Sequence, residues 1–187
     1  MRAADRTLSE DMNLLRALAQ EAGKLALSFK LGGQSAETWH KTGGSPVTEA
    51  DMAVNRLCAE RLTRFRPDYG WLSEETLDNP EARRRDRCWV VDPIDGTKEF
   101  IKKTGEFTIN IALVEDGRPT AGIVYAPATG RMYVGTAGSG AWAGQVADGK
   151  VTDRAPIKVR TCGAETHLDV VASKSHRTPE TDVYISK

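Results

Sequence analysis

Apolar residues recur at helical spacing over the first thirty positions, with Leu8, Met12, Leu15, Ala19, Ala22, Ala26 and Phe29 on one stripe. Thr7 followed by Glu10 forms a capping-box pattern, and Leu31-Gly32-Gly33 supplies a stop, which predicts a long amphipathic helix between them. A polar loop is expected from Gln34 to Val47. Thr48 then caps a second helix that carries Met52, Val54, Leu57, Cys58 and Leu62 and closes at Pro67. Beyond it the period turns strand-like. Gly70-Trp71-Leu72 reads as a short strand entering Ser73-Glu74-Glu75-Thr76, residues 77–86 as a loop or irregular helix, and Cys88–Val91 as a buried strand. Phe107–Val114 alternates, Glu115-Asp116-Gly117-Arg118 turns, and Ala121–Tyr125 returns. Further turns at Pro127–Gly130 and Asp148-Gly149 make residues 105–160 an antiparallel meander. His167–Ala172 reads as one more buried strand opening a new unit, with a helix starting at Thr178 or Pro179. This order predicts a layered α+β fold, with one domain over 1–160 and the start of a second over 161–187.

Bulk composition narrows the function classes. The 187 residues suffice for one or two cores, and 26 basic side chains balance 26 acidic ones. Such a balance speaks against a nucleic-acid polymer or an anionic membrane surface as partner. Arg83-Arg84-Arg85-Asp86-Arg87 reads as a solvated face ahead of a strand. Cys58, Cys88 and Cys162 are odd in number and lack Cys-x-x-Cys spacing, which favours buried free thiols over disulfides or zinc. Trp39, Trp71, Trp89 and Trp142 lie in or beside apolar elements and are expected in the core. With no apolar signal core and no segment of membrane-spanning length, a cytoplasmic protein is expected.

The candidate chemistry centres on Trp89-Val90-Val91-Asp92-Pro93-Ile94-Asp95-Gly96-Thr97-Lys98-Glu99-Phe100. An apolar run delivers two carboxylates to its end, followed by a Gly-Thr pair that can start a helix. Carboxylates suit hard cations and a helix start suits phosphate, which together describe a metal-assisted phosphoryl site. Asp-Pro and Asp-Gly also punctuate ordinary turns, so the stretch alone leaves both readings open. Asp51 in a first helical turn answers the helix dipole, and adjacent glutamates in a loop are ordinarily solvated.

Taken in order, Lys41…Ser45-Pro46-Val47-Thr48-Glu49-Ala50-Asp51, Ser73-Glu74-Glu75-Thr76, Asp92-Pro93-Ile94-Asp95-Gly96-Thr97, Gly138-Ser139-Gly140-Ala141-Trp142 and Ser173-Lys174-Ser175-His176 resemble the inositol monophosphatase superfamily of metal-dependent phosphatases. Gly96-Thr97-Lys98-Glu99-Phe100-Ile101 is most similar to the 3′(2′),5′-bisphosphate nucleotidases of the CysQ type within it. The resemblance implies a layered α/β/α/β sandwich of the sugar-phosphatase type. It further implies two or three magnesium ions held by Glu74, Asp92, Asp95 and the carbonyl of Ile94, with Thr97 orienting the attacking water and Asp51 accepting its hydroxyl. Gly96 and Thr97 would hold the phosphate, and Lys41, Ser175 and His176 are candidates for the rest of the substrate. The implied reaction removes the 3′-phosphate of adenosine 3′,5′-bisphosphate to give AMP, and the resemblance admits a homodimer of the full-length form.

Family members carry a further metal-binding aspartate in a Trp-Asp motif. The four tryptophans here are followed by His40, Leu72, Val90 and Ala143. A C-terminally truncated chain with an incomplete second lobe is therefore expected. Two alternatives stay open: an inositol monophosphatase or related sugar phosphatase, and an inactive fragment acting at most as a binding or interaction module.

Overall fold

A nearly continuous run of good helix formers builds α1 (Ala3–Leu31), which buries Asp11, Met12, Leu15, Leu18, Ala19, Ala22 and Ala26 along one face. It begins before the expected cap at Thr7, because Ala3 and Ala4 favour helix and nothing between them and Thr7 breaks it. The computed structural model describes residues 3–31, 38–40, 46–77, 79–163, 169–173 and 177–186. Met1–Ile157 forms one compact unit and Lys158–Lys187 a second.

Where a polar loop was expected, the chain forms a small antiparallel ribbon of β1 (Thr38–His40) and β2 (Pro46–Thr48). Three-residue strands are too short to display an alternation. Trp39, expected in the core, is 45 % exposed on this ribbon. Thr48 then caps α2 (Glu49–Phe65), which ends before Pro67 and buries Ala50, Asp51, Val54, Asn55, Cys58 and Leu62.

A seven-stranded sheet follows, in sequential order: β3 (Gly70–Ser73), β4 (Arg87–Asp95), β5 (Thr108–Glu115), β6 (Arg118–Ala126), β7 (Arg131–Thr136), β8 (Gly140–Ala147) and β9 (Lys150–Ile157). Only β3 and β4 pair in parallel, bridged by a crossover containing a 3-10 turn at Ala82–Arg84; every other pair is antiparallel. The expected meander is thus present from β5 to β9. Both α1 and α2 pack on one face of the sheet, where Trp89, Val91, Ile109, Ile111, Leu113, Ile123 and Met132 complete the core. Gly23 permits that approach, since a Cβ there would stand 2.5 Å from the Tyr125 ring.

One buried charge sits between these layers. The Asp11 carboxylate accepts from Arg66 Nε at 2.9 Å and from the Tyr69 hydroxyl at 3.2 Å, while Arg87 donates to Tyr69 Oη at 2.7 Å. Burial pushes the Asp11 carboxyl up, outweighing the pull of Arg66.

In the second unit, α4 (Pro179–Ile185) starts behind Thr178 as expected. Of the strand expected at His167–Ala172, the described part, residues 169–172, is not a strand. Residues 169–173 are irregular and exposed, and a short β-branched run is a strand only where a ladder partner accepts its backbone groups. Residues 167 and 168 lie outside the described residues.

Candidate active site

Three elements converge through short connections. The capping box of α2 fixes Asp51 first: Thr48 N donates to Asp51 Oδ2 at 2.8 Å, and the Thr48 hydroxyl donates to the same oxygen. That leaves Asp51 Oδ1 facing Thr97 Oγ1 at 3.2 Å. Thr97 Oγ1 is equally close, at 3.2 Å, to the carbonyl oxygen of Ile94, so its single hydrogen has two acceptors within reach. Burial raises the Asp51 carboxyl against the opposing pull of Thr48 and Thr97.

The second element is the pair β3–β4. Parallel pairing brings the ends of both strands to the same edge of the sheet, and Glu74 N donates to Val91 O at 3.2 Å. Glu74 and Glu75 therefore open beside Asp92. The strand expected to end at Val91 is longer: β4 runs on through Asp92, Pro93, Ile94 and Asp95, with its register against β5 broken between Asp92 and Asp95. The irregularity absorbs Pro93, which has no N–H to give to a ladder.

Asp92 is the electrostatic focus. Its Oδ1 is buried, and among the described residues no hydrogen bond reaches it. Burial first, then the charges of Glu74, Asp95, Asp51 and Glu75, push its carboxyl up to about 7. Asp95 is exposed and accepts from Asn110 Nδ2 at 3.4 Å, and Thr108 Oγ1 sets that amide by donating to Asn110 Oδ1 at 3.1 Å. Among the described residues, no three acidic, His or Cys side chains stand close enough together to hold a metal ion as they are. Asp92 Oδ1 is an orphaned buried oxygen in the field of four acids, and oxygen donors of this kind are those that magnesium takes.

The third element is the start of α3 (Thr97–Ile101). Gly96 precedes it with φ +95°, and a Cβ there would stand 2.8 Å from Glu106 O, so the turn requires glycine. Every one of these residues lies between Thr48 and Asn110. Lys41, Ser175 and His176 lie outside the described residues. Asn55 and Asn110 were not singled out from the sequence, and Ser73 was named there only as part of the Ser73–Thr76 motif, with no role of its own. Asn55 carried the one usable signal, its place four residues after Asp51 on the same helical face.

The sequence profile of the inositol monophosphatase family matches residues 7–184. The 3′(2′),5′-bisphosphate nucleotidase CysQ of Salmonella typhimurium (strain LT2) is 42 % identical over 171 residues, covering 91 % of this chain. The chain spans 66 % of that relative's length. A histidinol-phosphatase of Chlorobaculum parvum is 36 % identical over 135 residues, 72 % of this chain and 51 % of the relative. The crystal structure of CysQ from Bacteroides thetaiotaomicron superposes with a TM-score of 0.73 at 35 % identity, over 94 % of this chain and 67 % of that one. The layered α/β fold around a mixed seven-stranded sheet is therefore shared with solved members of that family.

Proposed function

Because the chain belongs to the inositol monophosphatase family, we propose that it is part of a magnesium-dependent phosphomonoesterase acting on a 3′(2′),5′-bisphosphate nucleotide. The favoured substrate is adenosine 3′,5′-bisphosphate, hydrolysed with one water to AMP and phosphate. The observation that carries this reading is the buried, unbonded Asp92 Oδ1 among like charges. A carboxylate is stable there only if something positive answers it. Glu74, Asp92, Asp95 and the carbonyl of Ile94 would hold two or three magnesium ions. When bound, magnesium supplies the positive charge that offsets the repulsion between the phosphate dianion and these carboxylates.

The remaining work falls to the chain's own groups. Asp51, fixed by Thr48, accepts the Thr97 hydroxyl hydrogen and so turns the lone pairs of Thr97 Oγ1 toward a water. That contact orients the nucleophile and requires no metal contact from Asp51. Gly96 presents no side chain, and the peptide N–H groups of Gly96 and Thr97 are the proposed donors to the phosphate. The likeness to CysQ supports the nucleotide substrate, and the likeness to a histidinol-phosphatase keeps a small phosphate monoester as the second reading. A homodimer and a cytoplasmic location are further proposals drawn from the family.

Phosphate release from adenosine 3′,5′-bisphosphate tests the reading, with inositol 1-phosphate and histidinol phosphate run alongside. Magnesium-dependent turnover that prefers the nucleotide and is lost in Asp95→Ala is the expected result. A folded chain that releases phosphate from none of them overturns the catalytic reading in favour of a binding module.

A further inference from the structure

Asn55 lies one helical turn beyond Asp51 on the buried face of α2, with only 4 % of its surface exposed. A buried side-chain amide requires a partner, and its partner lies in another element. Asn55 Oδ1 accepts from Ser73 Oγ at 2.7 Å. That bond uses the only hydrogen of the Ser73 hydroxyl and so fixes where its lone pairs face. One of them accepts Glu75 N–H at 3.3 Å. The same short turn is closed by Thr76 N donating to Ser73 O at 3.3 Å and anchored to β4 by Glu74 N donating to Val91 O at 3.2 Å.

We infer that Asn55 is a positioning residue for the proposed metal site: by orienting Ser73 it sets the turn that carries Glu74. On this assignment α2 is a strut between the two acidic loops. Asp51 braces the Gly96–Thr97 side and Asn55, one turn later, braces the Glu74 side. The spacing has a physical reason. Residues four apart on a helix share a face, so a single rigid element meets both loops at a constant separation. A hydrophobic residue at position 55 would fill the same space, yet it would leave the Ser73 hydroxyl free to rotate and Glu75 N–H without its acceptor.

The inference rests on the phosphatase reading and is tested separately from it. Mn2+ is titrated into the 187-residue chain and followed by electron paramagnetic resonance, in the wild type, Asn55→Ala, Ser73→Ala, the double variant and Asp92→Ala. Unfolding midpoints of the chelator-treated proteins are measured in parallel. Asn55→Ala is expected to weaken Mn2+ binding about tenfold, the scale of losing a hydrogen-bonded support behind a metal ligand. Ser73→Ala is expected to do the same, and the double variant to do no worse than either, because one path is cut twice. Unchanged affinity in a folded Asn55→Ala, or losses that simply add, overturns the assignment. If Asn55→Ala does not fold, Ser73→Ala carries the same expectation, and wild-type affinity in it overturns the assignment. Wild-type protein that binds no Mn2+, or binds it equally well as Asp92→Ala, overturns the phosphatase reading and this inference together.

Discussion

Burial and the charges of Glu74, Asp95, Asp51 and Glu75 make an ionised Asp92 costly to the fold, and its carboxyl rises from its ordinary 3.8 to about 7 for that reason. The sign follows from linkage. A raised acid contributes stability that is complete below its ordinary value and is lost as pH climbs through about 7. Chelator-treated protein is therefore expected to lose roughly 2–4 kcal/mol between acid and neutral pH, allowing for solvent screening. Asp92→Asn should flatten that profile in a thermal-unfolding series and raise the midpoint at neutral pH, while abolishing metal binding. A wild-type profile with no such slope would refute the account. Thr97 offers a different separation. Thr97→Val removes the hydroxyl that faces Asp51 Oδ1, and kcat is expected to fall about 10²-fold, the lower end for a positioned proton-handling group, with Mn2+ affinity kept. Thr97→Ser should restore most of it.

Among the elements, β4 decides the site, and it is also where the sequence is hardest to read. Asp92, Pro93 and Asp95 carry every signal of a turn, yet the strand continues through them because Asp95 still pairs with Thr108 beyond the register break. Local residue preference marks the chemistry but not the path of the backbone. The helices are legible because a 29-residue and a 17-residue element repeat their apolar period many times. β1 and β2 are not, since each has three residues, and the run at 169–172 misleads because β-branched residues need a partner strand that propensity cannot supply. Acids declare themselves by residue type, whereas Asn55 and Asn110 act through hydrogen bonds that only folding brings together. Gly96 tests the end of β4. Gly96→Ala should destabilise the chain by about 1–3 kcal/mol in denaturant titration, because alanine meets both an unfavourable φ and the Glu106 carbonyl.

For the whole molecule, burial is concentrated in Met1–Ile157, whereas no described residue of 158–187 is buried. Limited trypsin digestion should cut first at the exposed Lys158 and Arg160, leaving a resistant fragment that ends near Ile157. Early cleavage within β5 or β6 would contradict this division. The placement of the described site residues between Thr48 and Asn110 has a consequence in time. A ribosome working at about 5–20 residues per second finishes that span seconds before β9 exists. The growing polypeptide thus holds all the proposed ligands while most of its sheet is still unmade, and the mutual repulsion of those acids acts during biosynthesis as well as in the finished protein. On the proposed reading, a magnesium ion held there would serve first as a folding aid, ahead of any part in hydrolysis.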